Sequence, residues 1–159
     1  MEPPKIFVLG AGAVGGLLAR LLARDGYPVT CGDRDPERAA EFLGPGIELV
    51  RVNAGRCDSV ARAAAGCGLI VNTVPAVFNQ TVMRAALRLD AHYLDMASHL
   101  GRTPFKPEQF RFHDAFAQAR RLAIINAGAA PGISNLLAAE CAARLDSIDT
   151  MRIRLFEEI

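Results

Sequence analysis

The amino-acid sequence predicts an α/β fold in which parallel strands alternate with helices, and three observations support this. Short apolar runs recur along the chain and are separated by segments with helical periodicity. Six of these runs are apolar without alternation, which is typical of strands buried on both faces of a sheet. The chain has 159 residues, of which 51% are hydrophobic, so one domain with a sizeable core can form.

The predicted elements follow one another in a regular order. The six apolar strands are predicted at 6–9, 29–32, 47–52, 69–73, 92–96 and 122–126. Helices are predicted at 17–24, 36–43, 58–66, 80–89, 107–121 and 133–145. Asp35 followed by Pro36 is a typical helix start, whereas Gly26 and Gly44 are typical helix stops. A seventh strand is predicted at 150–156, where apolar residues alternate with arginines as in a half-buried strand.

A glycine-rich loop follows the first strand and opens the first helix. Gly10, Gly12 and Gly15 fit the pattern G-x-G-x-x-G, and this context is typical of a dinucleotide-binding loop. Gly10 permits the tight turn, Gly12 lets a pyrophosphate approach the backbone, and Gly15 lets the helix pack closely on the strand. The helix start, including Ala13 and Val14, offers N–H groups to the phosphates. Together these features predict a Rossmann fold, a doubly wound parallel sheet of about six strands.

An acidic residue ends the second predicted strand, where such folds bind the adenosine ribose. Asp33 can accept hydrogen bonds from the ribose hydroxyls and would repel a phosphate on the 2′ oxygen, so NAD is expected in preference to NADP. Arg34 follows directly and Arg38 lies one helical turn on. Either arginine could pair with such a phosphate and favour NADP instead, so the alternative stays open.

Further candidate residues follow the later strands, because ligands bind outside the carboxyl ends of parallel strands. Thr73, Val74 and Pro75 are expected to flank the cofactor after strand four. Asp95 ends strand five and could orient a partner in the site or cap a loop. His99 lies in the loop that follows and could act as an acid or base near neutral pH, or could be an exposed loop histidine without a role.

Several of these segments together resemble the saccharopine dehydrogenase family. They are the glycine loop, 33–35, 72–75, 93–95 and 128–135. The resemblance implies NAD(P)-dependent oxidoreduction at a carbon–nitrogen bond of an amino acid or polyamine precursor. Ala129 and Ala130 stand where relatives of the saccharopine-reductase type carry Leu-Asp, which looks more like the lysine 6-dehydrogenase branch.

The domain organisation follows from that resemblance. We expect residues 1–132 to form the NAD(P)-binding Rossmann domain. Residues 133–159 are expected to be a linker helix and the first strand of a truncated substrate domain, which would leave the chain alone inactive. The alternative is a free-standing dinucleotide-binding regulatory module without catalysis.

Composition excludes several other classes. The formal net charge of +1 argues against nucleic-acid binding through bulk charge, and no apolar run approaches the ~18 residues that a membrane span needs. The N-terminus has no signal-peptide pattern, and the four cysteines form no C-x-x-C pair. We therefore expect a cytoplasmic protein without a metal site, whose partner is a small amino-acid-like substrate, and a homodimer is left open.

Overall fold

A computed structural model of the chain describes residues 2–99, 106–154 and 156. Within them the strands are β1 (Ile6–Leu9), β2 (Val29–Asp33), β3 (Glu48–Arg51), β4 (Leu69–Asn72), β5 (His92–Asp95) and β6 (Ala123–Ile124). The α-helices are α1 (Ala13–Arg24), α2 (Pro36–Ala39), α3 (Cys57–Ala63), α4 (Asn79–Arg88), α5 (His113–Gln118) and α6 (Ile133–Ala142). Short 3₁₀-helices lie at Ala40–Phe42, Ala76–Phe78 and Glu108–Phe112.

The six strands form one parallel sheet in the order β3-β2-β1-β4-β5-β6. The chain runs outward from β1 to β3, returns to place β4 beside β1, and then continues outward to β6. The strand order therefore reverses between β1 and β4, which is where open α/β sheets bind their ligands. This confirms the predicted Rossmann sheet of about six strands.

The first strand shows why the central sheet is apolar on both faces. Successive side chains of a strand point to opposite sides, so Phe7 and Leu9 join a buried cluster with residues of α3, α4 and α5. Ile6 and Val8 face a second cluster with residues of α1 and α2. The two clusters sandwich the sheet between helical layers and hold the carboxyl ends of its strands in place.

The edge strands differ from their prediction. β3 exposes Glu48 and Arg51 and only half-buries the two residues between them. β6 has 2 residues, and Ile124 is 45% exposed. Burial on both faces is therefore wrong for these two strands, because an edge strand has solvent along one side.

Three predicted helices also differ in detail. The helix predicted at 107–121 is a 3₁₀-helix, Glu108–Phe112, followed by α5. The helix predicted at 36–43 is α-helical only to Ala39 and then tightens into a 3₁₀ turn. The helix predicted at 58–66 is α3, which has Arg56 as its N-cap and ends earlier, at Ala63.

The last part of the chain contains a helix without buried residues, α6. The strand predicted at 150–156 is wrong for residues 150–154, which are not paired with any strand; residues 155 and 157–159 lie outside the described residues. A strand needs a neighbour for its backbone groups, and this segment joins neither β3 nor β6. The domain boundary at residue 132 stays a prediction.

Among the described residues, no helix is long and apolar enough to cross a membrane. The same residues contain no group of three or more His, Cys, Asp or Glu side chains that could hold a metal ion. The four cysteines are free thiols. Burial is the main cause that raises the pKa of Cys31 to about 12, so this thiol stays protonated at neutral pH.

Candidate dinucleotide-binding site

The glycine loop connects β1 to α1 at the carboxyl edge of the sheet. Gly10 has a φ of +93°, a conformation that L side chains rarely adopt. A Cβ atom at Gly15 would lie 2.5 Å from the Oγ1 of Thr73 and would also collide with the carbonyl oxygen of Gly10. These two positions therefore need glycine for reasons internal to the fold.

Gly12 has no such internal reason. It is the N-cap of α1, with φ of −74°, and a Cβ atom there would meet nothing within 4 Å. The next residues, Ala13 and Val14, are exposed. The first N–H groups of an α-helix lack intrahelical acceptors, so the open space at Gly12 faces unpaired donors at the start of a 12-residue helix. This arrangement suits an anionic group such as a pyrophosphate.

Asp33 lies at the end of β2, next to the glycine loop. Its Oδ2 accepts a hydrogen bond from the N–H of Ala11 at 2.8 Å, and its Oδ1 accepts one from the N–H of Asp35 at 3.0 Å. The side chain is half-buried. Each carboxylate oxygen can accept more than one hydrogen bond, so Asp33 retains acceptor capacity for ribose hydroxyls.

Three arginines lie close to Asp33. Arg34 and Arg38 are exposed and line a cavity of about 400 Å³ beside it. Neither forms an ion pair within the described part of the chain. Arg51, at the end of β3, is instead paired with Glu37, whose two oxygens each lie 2.8 Å from Nη2. Of these three arginines, Arg51 alone therefore has a carboxylate partner among the described residues.

The segment after β4 forms the opposite wall. The N–H of Thr73 donates to the Leu9 carbonyl at 2.9 Å, and its hydroxyl lies 2.7 Å from the Gly10 carbonyl oxygen. Thr73 thus ties β4 to the glycine loop. Val74 and Pro75 line the space in front of that loop.

Together these walls enclose a groove of about 650 Å³. Its polar part is formed by the glycine loop and Asp33. The lining also includes Val52, Asn53, Ala54 and Phe78. A groove whose lining combines polar groups with apolar surface suits a ribose phosphate joined to a flat base.

Asp95 lies at the end of β5 and is only 1% exposed. It accepts hydrogen bonds from the Tyr93 hydroxyl at 2.9 Å, from Nε2 of Gln109 at 3.1 Å and from the N–H of Asn126 at 2.8 Å. Burial raises the pKa of Asp95 above its ordinary value, and these hydrogen bonds oppose the rise. The structure therefore places Asp95 where it holds together the segments that follow β5 and β6.

The surroundings of Asp95 contain more acceptors than donors. Among the described residues, the buried Oε1 atoms of Glu108 and Gln109 have no hydrogen-bond partner. Gln109 uses its Nε2 for Asp95, and the other oxygen of Glu108 accepts from Nε2 of Gln80 at 2.6 Å. An extra donor at this point would relieve the imbalance.

His99 lies on the loop after β5 and is exposed. Its side chain makes no hydrogen bond to another described residue, and residues 100–105 lie outside the description. Ser98 beside it donates to Oδ1 of Asn126 at 2.7 Å. Asp95 and His99 are thus near in sequence but differ in setting, and the acid or base role of His99 stays a prediction.

Some residues of the site were missed by sequence analysis. Arg51 and Phe78 line the groove, and Gln109 holds Asp95. The position of Arg51 at the carboxyl end of a predicted strand was a usable signal. Phe78 and Gln109 reach the site through contacts between distant segments, which no local pattern contains.

A family described as "Saccharopine dehydrogenase NADP binding domain" matches residues 6–124 of the chain. The matched span contains the glycine loop, Asp33 and the six strands of the sheet. It covers well over half of the chain.

Three known proteins illustrate the similarity of the chain in sequence or structure. A glycerol-3-phosphate dehydrogenase (NAD(P)+) of Geobacter sp. (strain M21) is 37% identical over 94 residues, which are 52% of this chain and 27% of that protein. Apo saccharopine dehydrogenase (L-Glu forming) from Saccharomyces cerevisiae has a TM-score of 0.77 and 19% identity, over 89% of this chain and 31% of that one. Imine reductase from Pseudomonas sp. has a TM-score of 0.52 and 26% identity, over 77% of this chain and 40% of that one.

The chain is short beside these proteins, since it spans 27% of the length of the glycerol-3-phosphate dehydrogenase and 31% of the yeast enzyme. At 19% identity the likeness to the yeast enzyme shows a shared fold. The common element is a Rossmann fold.

Proposed function

The chain belongs to the saccharopine dehydrogenase family, through the NADP-binding domain that its residues 6–124 match, and on that premise we propose that it binds a nicotinamide dinucleotide in the groove at the carboxyl edge of the sheet. The observation that carries the proposal is the open space at Gly12. Glycine is required there by neither backbone nor packing, and the space lies beside unpaired helix donors and Asp33. A closely approaching ligand gives a reason for this glycine.

Each part of the dinucleotide has fitting residues. Ala13 and Val14 would hold the pyrophosphate through their N–H groups, and Asp33 would accept hydrogen bonds from the adenosine ribose. Val74 and Pro75 would flank the cofactor from the wall after β4. When bound, the nicotinamide would supply hydride transfer to or from a substrate.

We propose that NAD is preferred over NADP. The Asp33 carboxylate would repel a phosphate on the 2′ oxygen of the ribose. Arg34 and Arg38 line the adjacent cavity and are the residues that would favour NADP if their attraction outweighed this repulsion.

For the activity, we propose oxidoreduction at the carbon–nitrogen bond of a small amino acid or related amine, in a cytoplasmic protein.

Residues 133–159 would lead into a substrate domain. Support comes from α6, which exposes Leu136 at 72% and Leu137 at 61%, because such a surface suits contact with further protein. That contact could be a substrate domain or a second copy in a homodimer.

Calorimetric titration of the purified chain with NAD and NADP tests cofactor binding. Gly12→Ala should weaken binding at least about tenfold, equivalent to about 1.4 kcal/mol, because the methyl group occupies the space of the pyrophosphate. Its effect on the free energy of unfolding should stay within about 1 kcal/mol, the range of an N-cap change.

Gly44→Ala is the matched control. Its Cβ atom would lie 3.7 Å from Cδ of Arg20, an ordinary contact, and the position is outside the groove. It should bind like the wild type. Equal binding by Gly12→Ala and wild type, or no binding of either dinucleotide at millimolar concentration, would contradict the proposed site.

A further inference from the structure

An ion pair between Arg51 and Glu37 joins the end of β3 to α2, next to the turn that contains Arg34. Arg51 donates from Nη1 to the carbonyl oxygen of Arg34 at 2.7 Å, and its Nη2 lies 2.8 Å from both carboxylate oxygens of Glu37. Both side chains of the pair are largely exposed, at 62% and 75%. Arg51 therefore fastens the end of β3 to the turn between β2 and α2.

Arg51 also lies next to the acid expected at the ribose. In the parallel pairing of β2 and β3, Asp33 is the partner of Arg51, and both residues line the groove. Arg51 would thus place a positive charge near the 2′ oxygen of the adenosine ribose, where NADP carries a phosphate and NAD does not. Glu37 already neutralises that charge. Arg34 and Arg38, by contrast, have no ion-pair partner in the described part of the chain.

We propose that the Glu37–Arg51 ion pair sets cofactor selectivity, with Glu37 withholding the Arg51 guanidinium from a phosphate on the adenosine ribose. This inference rests on the proposed dinucleotide binding. Glu37 is a positioning residue here, because it acts on the cofactor through Arg51.

The charges of the pair give the physical reason. A main-chain hydrogen bond and the Arg51 guanidinium lower the pKa of Glu37, so both partners are charged at neutral pH. A phosphate that approached Arg51 would compete with a two-point contact to a carboxylate. It would also meet the negative charge of Glu37 in addition to that of Asp33.

The test is Glu37→Gln, with dissociation constants for NAD and NADP measured by calorimetry at low ionic strength. The freed guanidinium and the lost negative charge should shift the ratio of the two constants about fivefold toward NADP, as expected for exposed charges within several ångströms. The shift should shrink as salt is added, because exposed charges are screened. An unchanged ratio would overturn the inference.

Asp58→Asn is the matched control. Asp58 pairs with Arg88 on the surface between α3 and α4, away from the groove, and both side chains are largely exposed. The change removes the same charge from a similar pair. It should leave the ratio as it is in the wild type.

A second variant separates the guanidinium from the charge of Glu37. Adding Arg51→Met to Glu37→Gln should abolish most of the gain in NADP binding. If the double variant keeps the gain, Arg51 is not the group withheld and the inference is wrong. Equal weakening of both cofactors by Glu37→Gln would indicate a purely structural pair and would also overturn it.

These outcomes are distinct from failure of the proposed function. A wild-type chain that binds neither dinucleotide would contradict dinucleotide binding itself, and the selectivity inference with it. Binding with an unaltered ratio in Glu37→Gln would contradict the selectivity inference alone.

Discussion

Asp95 is a buried carboxylate whose neighbours are hydrogen-bond donors rather than a cation. The charged group that acts on it is Glu108, another carboxylate, which adds to the burial that raises the pKa of Asp95. The nearby Oε1 of Gln109 has no donor among the described residues. The ionised form of Asp95 is therefore costly, although three hydrogen bonds stabilise it.

Asp95→Asn should change how stability depends on pH. Because its pKa is raised in the folded state, Asp95 binds more protons in the folded state than in the unfolded state. Its contribution to the free energy of unfolding therefore falls as the pH rises from about 3.9, the ordinary pKa of an aspartate, through the higher pKa of the folded state. Asp95→Asn removes the titrating carboxyl group, so the free energy of unfolding of the variant should lack this decrease. Denaturant unfolding of both proteins between about pH 4 and 7 should show the wild type losing stability relative to the variant.

At neutral pH the asparagine variant should be more stable than Asp95→Ala, because its Oδ1 still accepts from the Asn126 N–H. A rotated Gln109 amide would let its unpaired Oε1 accept from the new side-chain N–H. Asp95→Ala is the contrasting variant, and it should cost about 2 kcal/mol, because the Asn126 N–H and the Tyr93 hydroxyl lose their acceptor. A parallel pH dependence in wild type and Asp95→Asn would show that this carboxyl does not titrate as described.

At the scale of elements, the glycine loop sets the approach of α1 to β1. Gly15→Ala should lower the free energy of unfolding by about 2–3 kcal/mol, because its methyl group would meet the Gly10 carbonyl and Thr73. Denaturant unfolding measures this, with Gly44→Ala as the variant expected to match the wild type. Wild-type stability in Gly15→Ala would mean that the loop and helix are not packed as described.

The elements also show what a single sequence can predict. β1, β2 and β4 are predictable because apolar runs between glycine turns need no information beyond their own residues. The edges are harder, since β6 pairs with β5 only at Ala123 and Ile124 although β5 itself is longer. The pattern at 150–154 predicts a strand, yet a strand forms only where a neighbour offers its backbone, and no local pattern supplies that neighbour.

At the scale of the whole molecule, the part of the site that the sequence predicts lies in the first βαβ unit, β1–α1–β2. The glycine loop and Asp33 lie within that unit, and their spacing placed them together. The Arg51–Glu37 pair lies in the next unit, β2–α2–β3, and the Asp95–Gln109 contact lies between β5 and β6, but neither contact belongs to a recognisable spacing pattern. Their positions follow from the packing of the sheet and helices, so the structure was needed to find them.

The last prediction is that the 159-residue chain binds a dinucleotide without turning over a substrate. Hydride transfer needs a substrate oriented against the nicotinamide and shielded from water. Near the ends of β5 and β6 the described residues offer a sequestered Asp95, a Ser98–Asn126 hydrogen bond and an exposed His99. They form one wall, and α6 beyond them exposes its apolar side chains.

Two measurements check this prediction. Dinucleotide at about 100 times its dissociation constant should stabilise the fold by about 2.7 kcal/mol, and Gly12→Ala at the same concentration should lose at least about half of that effect. Reduction of NAD or NADP with lysine, saccharopine or other amino acids, followed by nicotinamide absorbance, should stay at background. Robust turnover would contradict the prediction, since the site would then be complete within this chain or a dimer of it. In that case loss of activity in His99→Ala would identify His99 as the acid or base.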